Sequence, residues 1–302
     1  VADSFQLSKG RKVRERFVRG LTFLCALISI FTTVGIVYVL VSESIPFFQQ
    51  VSIWEYLTGT HWSPRETTNP SFGVLPLLAG TMLIAVFAGL IAIPLGLMIG
   101  IYLSEYASSR VRAWVKPVLE LLAGVPTVVY GYFALVLVTP VLKEIWPELP
   151  VFNALSASIV VGIMILPIVA SLSEEALAAV PRALREGGLA LGATKGEVIR
   201  GVVIPGALSG VMSAFLLALS RAVGETMAVT LAAGASPNLT ANPLETVQTM
   251  SAYIVNVSLG EAPHGSITYQ TIFAVGLTLF VITLIMNLVA TRLVTKYRKQ
   301  YG

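Results

Sequence analysis

The chain is poor in charge, cysteine and histidine for its length. Of 302 residues, 12% are charged and 55% are apolar. A soluble domain usually carries about 25% charged residues. Mean hydropathy is +0.81. Such a chain cannot cover itself with polar surface, which excludes an ordinary soluble globule. The single cysteine, Cys25, excludes a disulfide framework and a cysteine-based zinc cluster. Two histidines, His61 and His264, are too far apart in sequence to form a metal-ligand pattern, so no metal is expected. No Gly-Lys dipeptide occurs, which removes a Walker A phosphate loop. There is no Ser/His/Asp set or cofactor motif, so bond chemistry is not expected of this chain.

What is present is a series of long uncharged runs. A membrane-spanning helix needs roughly 20 apolar residues. The gaps between charges predict six spans, at about 20–42, 73–103, 117–139, 154–172, 206–234 and 270–292. The runs are continuously apolar rather than alternating, which favours helices over a membrane barrel. The first span follows a basic segment, 1–19, as a signal peptide would. Its 23 residues are long for one and no A-x-A site follows, so a retained anchor helix is expected.

The basic residues set an orientation. Seventeen of the 20 Lys and Arg fall in the N-terminal segment, the loops after spans 2 and 4, and the tail 293–302 with its approach. Arg65 and Lys143 alone fall on the other side, and Arg221 lies inside a span. By the positive-inside rule both termini are expected in the cytoplasm. The net charge of +4 thus reads as membrane topology, and no nucleic-acid partner is expected. In the outer loop 43–72, Trp54, Tyr56 and Trp62 read as interface anchors. Loop 235–269, without Lys or Arg, reads as turn-rich.

Segment 173–205 carries helical punctuation. Ser171–Glu174 fits a capping box opening a helix that Pro181 breaks. A short helix is expected over 182–191 with Gly192 as its stop. Thr194–Glu197 fits a second capping box, opening a helix that ends before Pro205. Loops of this length are usually functional.

Arg221 and Glu225 are spaced i, i+4 and are expected on one helix face. A charge in the bilayer costs at least several kcal/mol and usually faces a bundle interior or a water-filled path. A guanidinium fork suits phosphate oxygens. On these residues alone the pair reads equally as an anion contact, with Glu225 holding Arg221 when the site is empty, or as a structural ion pair. Pro126 breaks a helix near Thr127 and Tyr130, which then line a path or sit in a packed kink with equal weight. Gly96-x-x-x-Gly100 and Gly206-x-x-x-Gly210 are read as helix-packing sites.

Three stretches resemble known families. Glu186, Gly187, Gly188 and Gly192, followed by Val202, Ile204 and Pro205, resemble the EAA motif of type I ABC importer permeases, with Gly-Gly for Ala-Ala and Ile204 for Leu. Arg221-Ala-Val-Gly-Glu225-Thr226-Met-Ala-Val-Thr230 resembles the fifth-helix signature of phosphate-specific permeases, in the form closer to PstC than to PstA. Glu120 to Gly131 is similar to that family's third helix. The resemblance implies an all-α integral membrane protein with six transmembrane helices and the type I ABC importer permease fold, the permease core covering 73–292. It implies a multi-pass protein of the bacterial cytoplasmic (inner) membrane. It further implies a PstA-like second permease, a PstB-like ATPase dimer holding ATP and Mg²⁺, and a PstS-like phosphate-binding protein. The path residues would be Arg221, Glu225, Thr226, Thr127 and Tyr130. The ATPase contacts would be Glu186, Gly187, Gly188, Leu189 and Gly192. A permease for sulfate or molybdate, or an ATP-independent carrier or channel, remains the alternative.

Overall fold

The computed structural model describes residues 9–66, 68–260, 262–263 and 265–301. His264 and the first eight residues of the basic N-terminal segment lie outside the described residues. Six helical stretches are long and apolar enough to cross a membrane: Arg14–Gln50, Leu75–Tyr106, Thr127–Ile145, Ala154–Ala178, Lys195–Val223 and Ile267–Arg292. Six spans are therefore present as expected, with different ends.

The first helix, α1 (Lys9–Gln50), overruns its expected end at 42. It leads into a short α2 (Ile53–Thr58) and an antiparallel hairpin, β1 (Trp62–Ser63) with β2 (Ser71–Phe72). The 43–72 loop is thus built, and its aromatics divide. Trp54 is 75% exposed, whereas Tyr56 and Trp62 are core residues and not interface anchors. They pack with Phe47, Phe72 and Tyr253 in edge-to-face pairs, ring centres 5.0–6.2 Å apart. Each such pair is worth about 1 kcal/mol beyond area burial. Gly59 and Gly73 let two backbones cross here; a Cβ on Gly73 would sit 2.2 Å from Gly59 backbone atoms.

The centre of the molecule is α3 (Leu75–Ile101) against α7 (Ala154–Ala178). Small residues make the approach possible, since lipid supplies no hydrophobic drive between helices. A Cβ on Gly96 would meet Val169 at 2.7 Å, and one on Gly100 would meet Ser173 at 3.0 Å. On α10 (Ile204–Val223), a Cβ on Gly210 would meet Ala176 at 2.5 Å. Gly96, Gly100 and Gly210 thus serve helix packing, as expected, whereas a Cβ on Gly206 would meet only Val180 beyond α7, at 3.4 Å.

The third span begins later than the expected 117. Ser108 caps a separate amphipathic helix, α4 (Ser109–Gly124), and the chain breaks at Val125-Pro126. The span itself is α5 (Thr127–Phe133), a π segment (Ala134–Val138) and α6 (Thr139–Ile145). The π segment contains Val136, four residues before Pro140. A proline ring clashes with the carbonyl four residues back, and a widened turn gives it room. The same device recurs before Pro205. A second π segment (Ile199–Val203) joins α9 (Lys195–Val198) to α10, so the helix expected to stop there runs on to Val223. The fifth span therefore lies at 195–223, not 206–234. After it come α11 (Met227–Ala232), α12 (Met250–Ser258) and α13 (Ile267–Tyr301). Buried α12 places a helix inside the stretch expected to be only turns.

The expected capping box at Ser171–Glu174 is not one. Both residues lie inside α7, whose buried face continues to Leu177, and Glu174 is 2% exposed.

Candidate functional site

Two of the expected sites are built at opposite ends of the fifth span. Between them lie 29 helical residues, about 40 Å of helix.

The first is a break in the helix. Ala222 and Val223 are buried, α10 stops at Gly224, and Glu225 turns its amide back to the Ala222 carbonyl at 3.2 Å. Glu225 thus lies outside α10, and the expected shared face with Arg221 is not formed. Glu225 is 5% exposed; its Oε1 accepts from the Ala228 amide at 3.3 Å at the start of α11. Its backbone carbonyl accepts the Ser251 hydroxyl from α12. The carboxylate therefore holds the break together and does not hold Arg221. Arg221 is exposed on the last turn of α10 and makes no ion pair or hydrogen bond among the described residues. Leu217, 56% exposed, lies one turn before it. Neighbouring Ser220 donates to Asn287 of α13 at 3.1 Å. Thr226 is half-buried and donates to the Gly224 carbonyl at 3.2 Å.

The third span meets this break. A Cβ on Gly131 would lie 2.9 Å from Leu231 Cβ and 3.1 Å from Ala228 Cα, so α5 and α11 are in close contact. Tyr130 is 6% exposed and donates its hydroxyl to the Leu122 carbonyl at 2.8 Å, clamping α5 to α4 across Pro126. That geometry is a packed kink. Thr127 is half-buried and its hydroxyl makes no hydrogen bond among the described residues.

The second site is α8 (Arg182–Ala190), the short helix expected after Pro181. Gly192 has φ +85°, and its amide reaches the Leu189 carbonyl at 3.0 Å while the Ala193 amide reaches Gly188 at 3.3 Å. These two bonds form the Schellman stop that glycine permits. The Thr194–Glu197 capping box is present and opens α9. Gly188 lies against Val198, where a Cβ would come within 2.9 Å. Gly187 faces open space, Glu186 is exposed, and Leu184, Leu189 and Leu191 are 52%, 50% and 90% exposed.

Sequence reasoning counted the basic residues around this helix but did not find their partners. Arg185 gives Glu105 a two-nitrogen contact at 3.0 and 3.3 Å. It also donates to the carbonyls of Val180 and Leu177 at the end of α7. Lys195 reaches the Glu105 carbonyl and lies 4.5 Å over the Tyr106 ring. Arg112 and Lys116 of α4 hold buried Glu174 at 3.3 and 2.6 Å. The signal was available: Arg112 and Lys116 are i, i+4 on an amphipathic helix, and Glu174 closes an apolar run.

A multi-span bundle with a short, exposed amphipathic helix at its basic end and an arginine unpaired among the described residues beside a helix break has the plan of a membrane permease component. The match to known proteins makes this specific. Residues 92–299 match the family described as "Binding-protein-dependent transport system inner membrane component". The chain belongs to that family: it is a multi-pass inner-membrane permease of an ABC importer, and it carries no ATPase domain. It is 34% identical to the Bacillus subtilis protein named "Probable ABC transporter permease protein YqgH" over 93% of this chain and 91% of that one. It is 33% identical to the phosphate transport system permease protein PstC of Mesorhizobium japonicum, over 82% and 80% of the two chains. Among solved structures it is similar to a permease of a bacterial alginate importer, with a TM-score of 0.62, 15% identity and 93% of this chain covered. An inward-facing MetNI methionine transporter gives 0.55, 19% and 74%. The last two show the fold alone.

Proposed function

We propose that this chain is a PstC-like permease subunit that moves inorganic phosphate inward by alternating access. The observation that carries the reading is Arg221, a guanidinium without a partner among the described residues, on a membrane span beside a break. A charge left there costs several kcal/mol unless it faces water or a counter-anion. Its fork can bond two phosphate oxygens at once. The names of the PstC relatives support phosphate as that anion.

The basic residues then face the cytoplasm with both termini, and the hairpin end faces outward. A PstA-like permease completes the path against Arg221 and Thr226. Thr127 offers a hydroxyl to the same path, and Tyr130 and Glu225 position the elements around it. On the cytoplasmic side, Glu186, Gly187, Gly188, Leu189 and Gly192 belong to the segment that a PstB-like ATPase dimer grips. ATP and Mg²⁺ sit in that partner. Arg185 passes the displacement of α8 to the ends of α7 and α3, and the unbroken α9–α10 rod carries it to Arg221. A PstS-like protein delivers phosphate to the hairpin end.

The test is uptake of labelled phosphate by the reconstituted complex. Uptake should require ATP and survive excess sulfate and molybdate. Arg221→Gln should lower it at least 100-fold with the complex still assembled. Normal uptake by that variant defeats the reading. Uptake abolished by sulfate reassigns the substrate.

A further inference from the structure

At the hairpin end, a cavity of about 380 Å³ opens between β1, the turn after it and α12. That is within the usual size of a small-ligand pocket. Its lining has polar groups with capacity to spare. Arg65 uses one nitrogen on the Asn256 carbonyl at 3.2 Å, and the rest of its fork has no partner among the described residues. Gln248 is 5% exposed and lines the cavity, yet its amide makes no hydrogen bond among the described residues. Trp62 Nε1–H is fully buried against Tyr253, so it packs behind the cavity wall and does not open on it. A buried polar group is nearly always paired, so the unbonded Gln248 amide on this cavity points to a missing partner.

The lining also selects. Arg65 can only donate and is permanently charged, which calls for an anion. Glu66 lines the same cavity and can only accept when ionised; one of its oxygens takes the Ser63 hydroxyl at 3.1 Å. A carboxylate repels an anion that has no proton to offer it. Near neutral pH inorganic phosphate keeps a P–O–H group and sulfate has none. A site built to bond a hydroxyl rejects the analogue that lacks it.

We propose that this cavity binds one protonated oxyanion, inorganic phosphate, with Arg65 and Gln248 donating to its ionised oxygens and Glu66 accepting its proton. The inference rests on the phosphate reading above and deepens it. It adds an outer station, selective before translocation, to the site at Arg221.

The experiment is equilibrium binding of radiolabelled phosphate to the assembled transporter in nanodiscs, without the binding protein. Arg65→Gln should weaken binding at least tenfold and Arg221→Gln should leave this site filled. In the wild type, excess sulfate should not displace the label; in Glu66→Gln it should. Arg65→Lys keeps the charge without the fork and should fall between, which separates lost recognition from a lost fold. Unchanged binding in Arg65→Gln, or sulfate displacing the label in the wild type, overturns the proposal. So does an Arg65→Gln variant that binds free phosphate normally and loses only its grip on the binding protein, because the cavity then takes an acidic side chain. A transporter that imports only sulfate while Arg65-dependent phosphate binding persists sinks the phosphate-import reading and leaves the cavity standing.

Discussion

The two ends of the molecule are held together by different forces. At the hairpin end the contacts are aromatic and backbone-mediated. Phe47, Tyr56, Trp62, Phe72 and Tyr253 interlock, and buried hydroxyls pair as Tyr56 with Thr278 and Tyr253 with Thr271. Burial pushes both phenols well above their ordinary pKa, Tyr253 to about 12, so they stay protonated donors. At the opposite, basic end around α8 the contacts are ionic. Every salt bridge among the described residues lies there: Arg112 and Lys116 with Glu174, and Arg185 with Glu105. Close packing has a single well-fitting arrangement and tolerates little displacement. The carboxylates Glu174 and Glu105 are buried there, while Arg112 and Lys116 are more than a third exposed, so water competes for those cations. The hairpin end is thus held by close packing and the basic end by charge.

The largest stability effect should come from the packed end. Trp62→Ala removes a 4%-exposed indole from the aromatic cluster and should cost about 3–5 kcal/mol. Thermal unfolding of the purified complex measures it. Glu174→Gln should cost less, about 2 kcal/mol. Its carboxylate is buried, but its cations are 38% and 36% exposed, and water screens what they lose. An Arg112→Gln, Glu174→Gln double-mutant cycle should show coupling between the two sites. If Glu174→Gln destabilises more than Trp62→Ala, the contrast between the ends is wrong.

Much of this plan was legible in the residues and some was not. Six apolar runs gave six spans, because span length depends only on apolar content and bilayer thickness. Gly192 and the Thr194–Glu197 box were legible because such stops and caps are local. The break at Pro126 was legible too, but the run before it was counted into the third span; the break at Gly224 and the π segments that let Pro140 and Pro205 pass depend on neighbouring helices, which misplaced the fifth span. The Arg221–Glu225 pair failed for the same reason. Helical spacing promises a shared face only while the helix lasts, and α10 ends at Val223. Tyr56 and Trp62 read as interface aromatics because composition cannot tell an anchor from a satellite core. The Glu174 cluster was hidden because its members are about 60 residues apart.

The smallest stability effect, and the sharpest test of the contrast, belongs to Leu191. It is 90% exposed beside the Schellman stop of α8 and touches little of its own chain. Leu191→Ser should leave the unfolding temperature of the isolated permease unchanged within about 0.5 kcal/mol. A large apolar side chain on an otherwise polar segment gains its worth only when something covers it. On the proposed reading that cover is the ATPase partner, so the same variant should weaken ATPase association, or uncouple ATP hydrolysis from uptake, by about tenfold, the effect of losing one buried side chain at an interface. Glu105→Gln loosens the tether of α8 without touching its exposed face. It should leave association intact and still lower uptake per ATP consumed. The two variants thus separate gripping from transmission, and a Leu191→Ser transporter that assembles and couples normally would place the grip elsewhere on the basic end.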